Sequence, residues 1–248
     1  MSEIERLKEL IHKAKRIVFF GGAGVSTESG IPDFRSAHGL YGGAQGRSYE
    51  EMLSLRFFLN HKDDFWTFYK STLLYPEAKP NLAHYALARL EKQGKLKAVL
   101  TQNIDGLHQA AGSQNVLELH GTVHSNTCLN CGRHYGLHEV LAQSGTPHCL
   151  GTAQKPCAGV LRPDIILYGE ALNNQVLNDA ISAVTQCDLL LVGGTSLMVH
   201  PAAGLIGYRQ RGVSLVLLNR DETPMDHLAQ LIIRENIAQV LDQAIQST

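Results

Sequence analysis

The sequence predicts an α/β fold, an open parallel sheet with helices on both faces, joined to a smaller domain made of a helical module and a cysteine-bearing insert. Three observations lead there. Short unbroken apolar runs of strand length recur along the chain, segments with apolar residues at three- and four-residue steps separate several of them, and two stretches lack both patterns. Unbroken apolar runs mark strands buried on both faces, the condition of a parallel sheet sandwiched between helices.

Taken in order, Ser2 and Glu5 have the spacing of a capping box and start an amphipathic helix that carries Ile4, Leu7 and Ile11 and runs to about Ala14. Ile17-Val-Phe-Phe20 is the first strand and runs into Gly21-Gly-Ala-Gly24. Residues 36–85 interrupt the pattern with a Gly-rich loop, Gly39 to Gly46. An aromatic series follows, Phe57, Phe58, Phe65, Trp66, Phe68 and Tyr69, whose helix-like spacing predicts a small helical module packing its own core. A helix over Leu82 to Gln93 precedes strands at Ala98–Thr101 and Val116–Leu119. Residues 122–165 hold four of the five cysteines and little periodicity. A helix over Asn174 to Thr185 then leads to strands at Leu189–Val192 and Leu215–Leu218, with a weaker one at Leu231–Ile233. This divides a single catalytic domain into a large lobe (1–35, 86–121 and 166–248) and a small lobe (36–85 and 122–165).

Composition excludes several classes of function. A chain of 248 residues suits one substantial core carrying a smaller module. Twenty-two Lys plus Arg against 23 Asp plus Glu give a formal charge of -1, so no global field attracts nucleic acid or anionic membranes. The charges interleaved through the first 20 residues are unlike a signal peptide, and no apolar stretch is long enough to span a bilayer, which points to the cytoplasm. Five cysteines, an odd count, argue for metal binding or plain burial over a disulfide framework. Cys128-Leu-Asn-Cys131 has the knuckle spacing that places two thiolates on one tetrahedral ion, and Cys149 with Cys157 completes a closed, structural four-thiolate zinc site. The second pair is widely spaced, with seven residues between its members, which keeps His148 open as a substitute for Cys149. Cys187, at a helix-to-strand join, reads as buried and inert.

Gly22-Ala-Gly24 with Ser26 and Ser29-Gly30 follows the first strand, where a Rossmann-like sheet brings backbone N–H groups to a dinucleotide's phosphates. The spacing does not fit G-x-G-x-x-G, and no acidic residue closes a second strand about 20 positions on, so a hydride-transferring dehydrogenase is disfavoured. The unbroken string Gly22-Ala-Gly-Val-Ser-Thr-Glu-Ser-Gly-Ile-Pro-Asp-Phe-Arg35 instead resembles the signature of the sirtuins, the NAD-dependent protein deacylases. Further matching blocks follow in order: Thr101-Gln-Asn-Ile-Asp-Gly-Leu-His108, Leu119-His-Gly121, the cysteine insert, Leu161-Arg-Pro163, Tyr168-Gly-Glu170, Gly193-Gly-Thr-Ser196 and Leu218-Asn219.

The resemblance implies NAD as co-substrate and an acylated lysine, in an extended segment of another protein, as acceptor site. It assigns His120 as the base that takes a proton from the ribose hydroxyls, a role suited to a group that is largely neutral near pH 7. Asn103 joins it as a catalytic residue, and Gln102 and Asn103 hold the ribose. Ile104 and Asp105 line the nicotinamide pocket, with Asp105 on the carboxamide. Ala23 and Thr27 fall in the loop that wraps the pyrophosphate, Phe34 covers the ribose, and Arg35 contacts phosphate or ribose. Gly194, Thr195, Ser196 and Asn219 hold adenosine, and Ile237 touches the adenine. His108 reads as a scaffolding hydrogen-bonder. Tyr168-Gly-Glu170 lies where the family offers a strand edge to the substrate backbone. Members that favour acidic acyl groups carry Tyr-x-x-Arg in the helical module, whereas this chain has Tyr69-Lys-Ser-Thr72, which predicts acetyl or longer neutral acyl groups. An ADP-ribosyltransferase and a non-catalytic NAD-sensing module are the competing functions.

Overall fold

A computed structural model describes residues 1–33 and 48–246. Phe34, Arg35 and the Gly39 to Gly46 loop lie outside the described residues. Six parallel strands form the main sheet: β1 (Ile17–Gly21), β2 (Leu96–Thr101), β3 (Val116–Glu118), β7 (Leu189–Gly193), β8 (Ser214–Leu218) and β9 (Leu231–Ile233). Each strand expected from the apolar runs is present, with ends within two residues of those expected. Their order, β3-β2-β1-β7-β8-β9, reverses direction at β1. In an open α/β sheet the crevice at the carboxyl ends beside such a reversal is where ligands bind.

Period-two alternation sorts the strand side chains between two cores. Phe19 faces a cluster shared with α1 (Glu3–Lys13), α5 (Leu82–Lys92) and α9 (Ile237–Gln246), through Leu7, Leu87 and Leu241. Val18 and Phe20 face the opposite cluster, closed by α8 (Asn174–Gln186) and a 3-10 turn at Ala202–Tyr208. The predicted capping box of α1 is present: Ser2 Oγ accepts from Glu5 N–H, and the Glu5 carboxylate accepts from Ser2 N–H.

Between β3 and β7 the chain leaves the main sheet. It forms a three-stranded antiparallel sheet from β4 (Gly121–Cys128), β5 (His134–Gly136) and β6 (Leu161–Ile165), in the order β5-β4-β6, together with the short helix α7 (Leu137–Leu141). The preceding helical module consists of α2 (Tyr49–Met52), α3 (Leu55–Asn60) and α4 (Lys62–Thr72). Where the aromatic series predicts a module with its own core, the structure shows a shared one. Phe58, Phe65, Trp66 and Tyr69 form one cluster with Val123, Tyr135, Val140 and Leu161 of the insert, and Trp66 Nε1 donates to the Leu161 carbonyl at 3.1 Å. Helices this short present too little apolar surface to close on each other, and a small sheet has a face to bury. Each supplies what the other lacks.

Candidate active site

The loop after β1 meets the loop after β7 backbone to backbone at the point of reversal. Gly22 N–H donates to the Gly193 carbonyl at 3.2 Å and Gly24 N–H to the Gly194 carbonyl at 2.8 Å. A Cβ on Gly24 would stand 2.7 Å from Gly194 Cα, so no larger residue fits there. The loop continues as two 3-10 turns, Ala23–Val25 and Thr27–Ser29, with Ala23 and Thr27 half-buried on it. Asn81, the N-cap of α5, braces the loop by donating to the Val25 carbonyl at 2.8 Å and Ser29 Oγ at 3.0 Å.

The segment after β2 lies beside this loop. Ser26, only 1 % exposed, accepts from Asn103 Nδ2 at 3.0 Å and donates to Asp105 Oδ2 at 2.7 Å. The other carboxylate oxygen, Asp105 Oδ1, accepts from Leu107 N–H at 2.9 Å, across a tight turn that leads into the short helix α6 (Leu107–Ala110). Asn103 and Asp105 are therefore pre-aimed by one buried hydroxyl, and the sequence reading gave Ser26 no role of its own. Its signal was a polar side chain inside a tightly packed glycine loop. Ile104 packs against the small-lobe core.

On the other side, Gln102 Nε2 donates to Thr195 Oγ1 at 2.9 Å, and Thr195 N–H donates to Asn219 Oδ1 at 2.9 Å. Gln102 thus ties the β2 segment to the residues expected around adenosine. Gly194 has a φ of +60°, which lets the chain turn between β7 and Thr195, and Ser196 follows half-buried. Ile237 is 8 % exposed at the start of α9, and its Cδ1 occupies the space that a Cβ on Gly193 would need, 2.3 Å away.

His120 stands between the last residue of β3 and the first of β4. Its Nδ1 lies 3.0 Å from the Gln102 carbonyl. A carbonyl can only accept, so Nδ1 carries the proton and Nε2 keeps a free lone pair. Burial lowers the His120 pKa from the ordinary histidine value, against an opposing pull from the Gln102 hydrogen bond, which keeps the ring neutral near pH 7. The next residue, Gly121, has a φ of +77°, and a Cβ there would stand 2.1 Å from the Asp164 carbonyl oxygen. Only glycine lets β4 turn away from the ring at this point.

His108 departs from expectation. Among the described residues neither of its ring nitrogens has a hydrogen-bond partner, and the ring packs 4.7 Å from His84 and 6.2 Å from Phe19 between centroids. Burial, and then the neighbouring His84, hold its pKa down to about 3, so it packs as a neutral aromatic. A cleft of about 450 Å³ lies on α2 and α3, between Glu51 and His61, and is lined by none of these residues.

In the insert the sulfurs of Cys128, Cys131, Cys149 and Cys157 all lie within 4.8 Å of one another. Asn130 N–H points at Cys128 Sγ (3.4 Å), Gly151 N–H at Cys149 Sγ (3.4 Å), and Tyr135 Oη donates to Cys149 Sγ at 3.1 Å. Donors aimed at sulfur favour thiolates, and the Tyr135 hydroxyl foremost draws the Cys149 pKa down to about 6. Four convergent sulfurs, two of them met by such donors, fit a tetrahedral zinc ion. His148 turns its Nδ1 to the Ala158 carbonyl at 2.9 Å, which leaves Cys149 as the fourth sulfur of the set. Cys187 is 4 % exposed and sits at the C-cap of α8, as expected. No helix among the described residues is long and apolar enough to cross a membrane.

Comparison with known proteins gives one consistent result. The profile of the Sir2 family matches residues 22–201. A protein of Clostridium acetobutylicum named NAD-dependent protein deacetylase is 49% identical over 248 residues, which is 99% of each chain. One of the same name from Clostridium tetani is 51% identical over 249 residues, covering 99% of this chain and 98% of that one. Among solved structures, a Sir2 variant with deacetylated p53 peptide and 3'-O-acetyl-ADP-ribose superposes with a TM-score of 0.90 at 36% identity, covering 99% of this chain and 98% of the other. A Sir2 complex with p53 peptide and NAD+ superposes at 0.86 and 38% identity, covering 100% and 98%.

Proposed function

The chain belongs to the Sir2 family and is an NAD-dependent protein deacetylase, and from that premise we propose how its residues divide the work. The observation that carries the reading is the imidazole of His120, fixed by the Gln102 carbonyl with Nε2 unprotonated at the carboxyl edge of the sheet. NAD supplies an activated ribose: its bond to nicotinamide breaks as the acyl oxygen of the substrate lysine attacks the same carbon. His120 then accepts a proton from a ribose hydroxyl, whose oxygen adds to the acyl carbon, and one water adds to that carbon as the lysine amine leaves, so that the acyl group stays on ADP-ribose. The products are nicotinamide, O-acyl-ADP-ribose and the unmodified lysine.

Positioning does most of the rest, because a neutral leaving group asks for alignment and exclusion of water more than for strong acid. Asn103 acts beside His120 on the ribose. Asp105 presents the outer lone pairs of its carboxylate to the nicotinamide amide, its inner ones being held by Ser26 and Leu107. Ala23, Thr27 and Arg35 accompany the pyrophosphate, Phe34 shields the ribose, and Ile104 lines the nicotinamide side. Gly194, Thr195, Ser196 and Asn219 receive adenosine, with Ile237 beneath it. Gln102 serves this group by holding Thr195 as well as by its carbonyl on His120. Cys128, Cys131, Cys149 and Cys157 hold one structural zinc ion, which ties β4 to the loop before β6.

The substrate is a lysine acylated with acetyl or a longer neutral group, in an extended segment that pairs with the edge near Tyr168. Tyr69 is fully buried, stacked on Phe65, Thr72 stands three residues on in place of an arginine, and the ammonium of Lys70 between them is spent on the Gln143 and Gly145 carbonyls, which argues against a counter-charge for an acidic acyl chain here. The division into a large lobe (1–35, 86–121 and 166–248) and a small lobe (36–85 and 122–165) goes with this reading, except that the boundary at 85/86 cuts α5 and moving it to Asn81 keeps that helix whole in the large lobe. Nicotinamide release across a panel of acyl-lysine peptides tests the assignment. Wild type is expected to turn over acetyl-lysine faster than succinyl-lysine. His120→Ala is expected to lose turnover while still binding NAD. A succinyl preference, or an active His120→Ala, refutes the corresponding part.

A further inference from the structure

The stretch that follows β6 is held from three sides. Ile166 N–H donates to the His120 carbonyl at 2.8 Å. Tyr168 N–H donates to the Leu53 carbonyl at 2.9 Å, and Leu55 N–H returns a bond to the Tyr168 carbonyl at 3.0 Å, which joins this stretch to the helical module. The third hold is a carboxylate. Glu170 Oε2 accepts from Leu167 N–H at 2.9 Å and from Arg162 Nη2 at 2.5 Å, and the same guanidinium nitrogen reaches back to the Ile165 carbonyl at 3.4 Å. The side chains of Arg162 and Glu170 are 28% and 16% exposed, so the pair is largely withdrawn from water. Glu170 N–H also closes a turn on the Leu167 carbonyl at 3.0 Å, around Gly169 with its φ of +93°.

We infer that Arg162 and Glu170 are a positioning pair for the acylated substrate: the ion pair fixes the 166–168 backbone as a strut on the His120 carbonyl and, through it, sets the height of the adjoining Gly169 end, the edge on which the substrate strand lies. The inference rests on the deacetylase reading and extends it to two residues that touch neither NAD nor the reacting atoms. A carboxylate that takes a main-chain N–H and a guanidinium at one oxygen sets the height of that main chain, because moving the edge breaks two charge-assisted bonds together. A substrate strand pairs by main-chain bonds, whose strength falls steeply when donor and acceptor are misplaced by a few tenths of an ångström. The dinucleotide loops, by contrast, are braced by Asn81, Ser26 and Thr195, through hydrogen bonds that, among the described residues, do not involve the pair.

The effect should therefore divide between the two substrates. With full-length zinc-loaded protein, Glu170→Ala is expected to raise KM for an acetyl-lysine peptide about tenfold, as for loss of roughly 1.4 kcal/mol, while KM for NAD stays within about twofold. Glu170→Asp keeps the charge but is one methylene too short to meet Arg162 and Leu167 N–H together. It is expected to show the same split, and it decides the matter if the alanine variant does not fold. Glu170→Gln retains the length and one accepting oxygen and is expected to recover most of the peptide affinity. Unchanged peptide KM in Glu170→Asp, or peptide and NAD values rising in parallel with a falling melting temperature, overturns the inference. Failure of the deacetylase reading itself is separate: wild type would then release no nicotinamide in response to acetyl-lysine peptide.

Discussion

Replacing Gly121 by alanine puts a methyl group where the fold leaves no room, and the cost can be worked from the geometry. The backbone there has a φ of +77°, and a Cβ would stand 2.1 Å from the Asp164 carbonyl oxygen and 2.8 Å from Ile165 Cα. Both neighbours are main-chain atoms of β6, so no rotamer change relieves the clash. Left-handed strain costs about 1–2 kcal/mol and forced overpacking about 1–3 kcal/mol, together about 2–5 kcal/mol. For a chain of this size that lowers the melting temperature by roughly 4–20 °C. Gly94→Ala is the control, since its φ of +76° carries the same strain with nothing within 4 Å of the added carbon. It should lose only about 1–2 kcal/mol. Displacing β6 also shifts Ile166 N–H, which holds the His120 carbonyl, so Gly121→Ala should lose more kcat/KM than Gly94→Ala at a temperature where both are folded. Thermal melts and nicotinamide release on the two variants make the test. Equal melting temperatures for the two would refute the claim that contact, beyond backbone strain, reserves this position for glycine.

Three further outcomes follow from the same structure. Because burial lowers the His120 pKa, the acidic limb of kcat/KM should fall below the ordinary histidine value of about 6.5, and a limb centred above it would mean that another group is being read. Burial depresses His84 and His108 to about 4 and about 3, so between those values and about 6.5 the unfolded chain binds more protons. Their contribution to stability is complete above the unfolded pKa and is lost as pH falls. His108→Phe should accordingly flatten the decline of melting temperature between pH 6.5 and pH 4, and an unchanged slope counts against it. Removing zinc with a chelator should unfold the insert and abolish turnover. Trp66, the single tryptophan, is 0 % exposed and bonded to Leu161, so its emission should shift to the red, and unshifted emission from zinc-free protein would contradict the shared core.

The main sheet was legible because a strand covered on both faces has to be apolar at every position, as Ile17 to Phe20 and Leu189 to Val192 are. The fingerprint from Gly22 to Arg35 was legible for a different reason: close backbone approach to phosphate leaves few permissible side chains. The sheet inside the insert was not, since β4 mixes buried and half-exposed residues through Gly121 to Cys128 without clean alternation. Nor was the union of helical module and insert, whose defining bond joins residues 95 positions apart. Ser26 was read only as part of the phosphate loop and Asn81 escaped notice, because their work is to hold other residues, and nothing in a single sequence records which distant carbonyl or amide a side chain will meet. His108 was misread for a related reason. A histidine is assumed to seek partners, whereas this one lies against another ring in a site too dry to charge it.

Only Leu119 and His120 separate the parallel sheet from the antiparallel one. This crossing between the two halves therefore carries the proposed base. Its Nδ1 is tied to the Gln102 carbonyl on the side of the parallel sheet and its own carbonyl to Ile166 N–H beyond the antiparallel one, so a single residue is gripped from both sides. A change in the length of this link would displace the ring. Homologues that lengthen or shorten the link between the halves are expected to do so elsewhere, as in the run from Leu73 to Asn81, where an added residue leaves the ring where it stands.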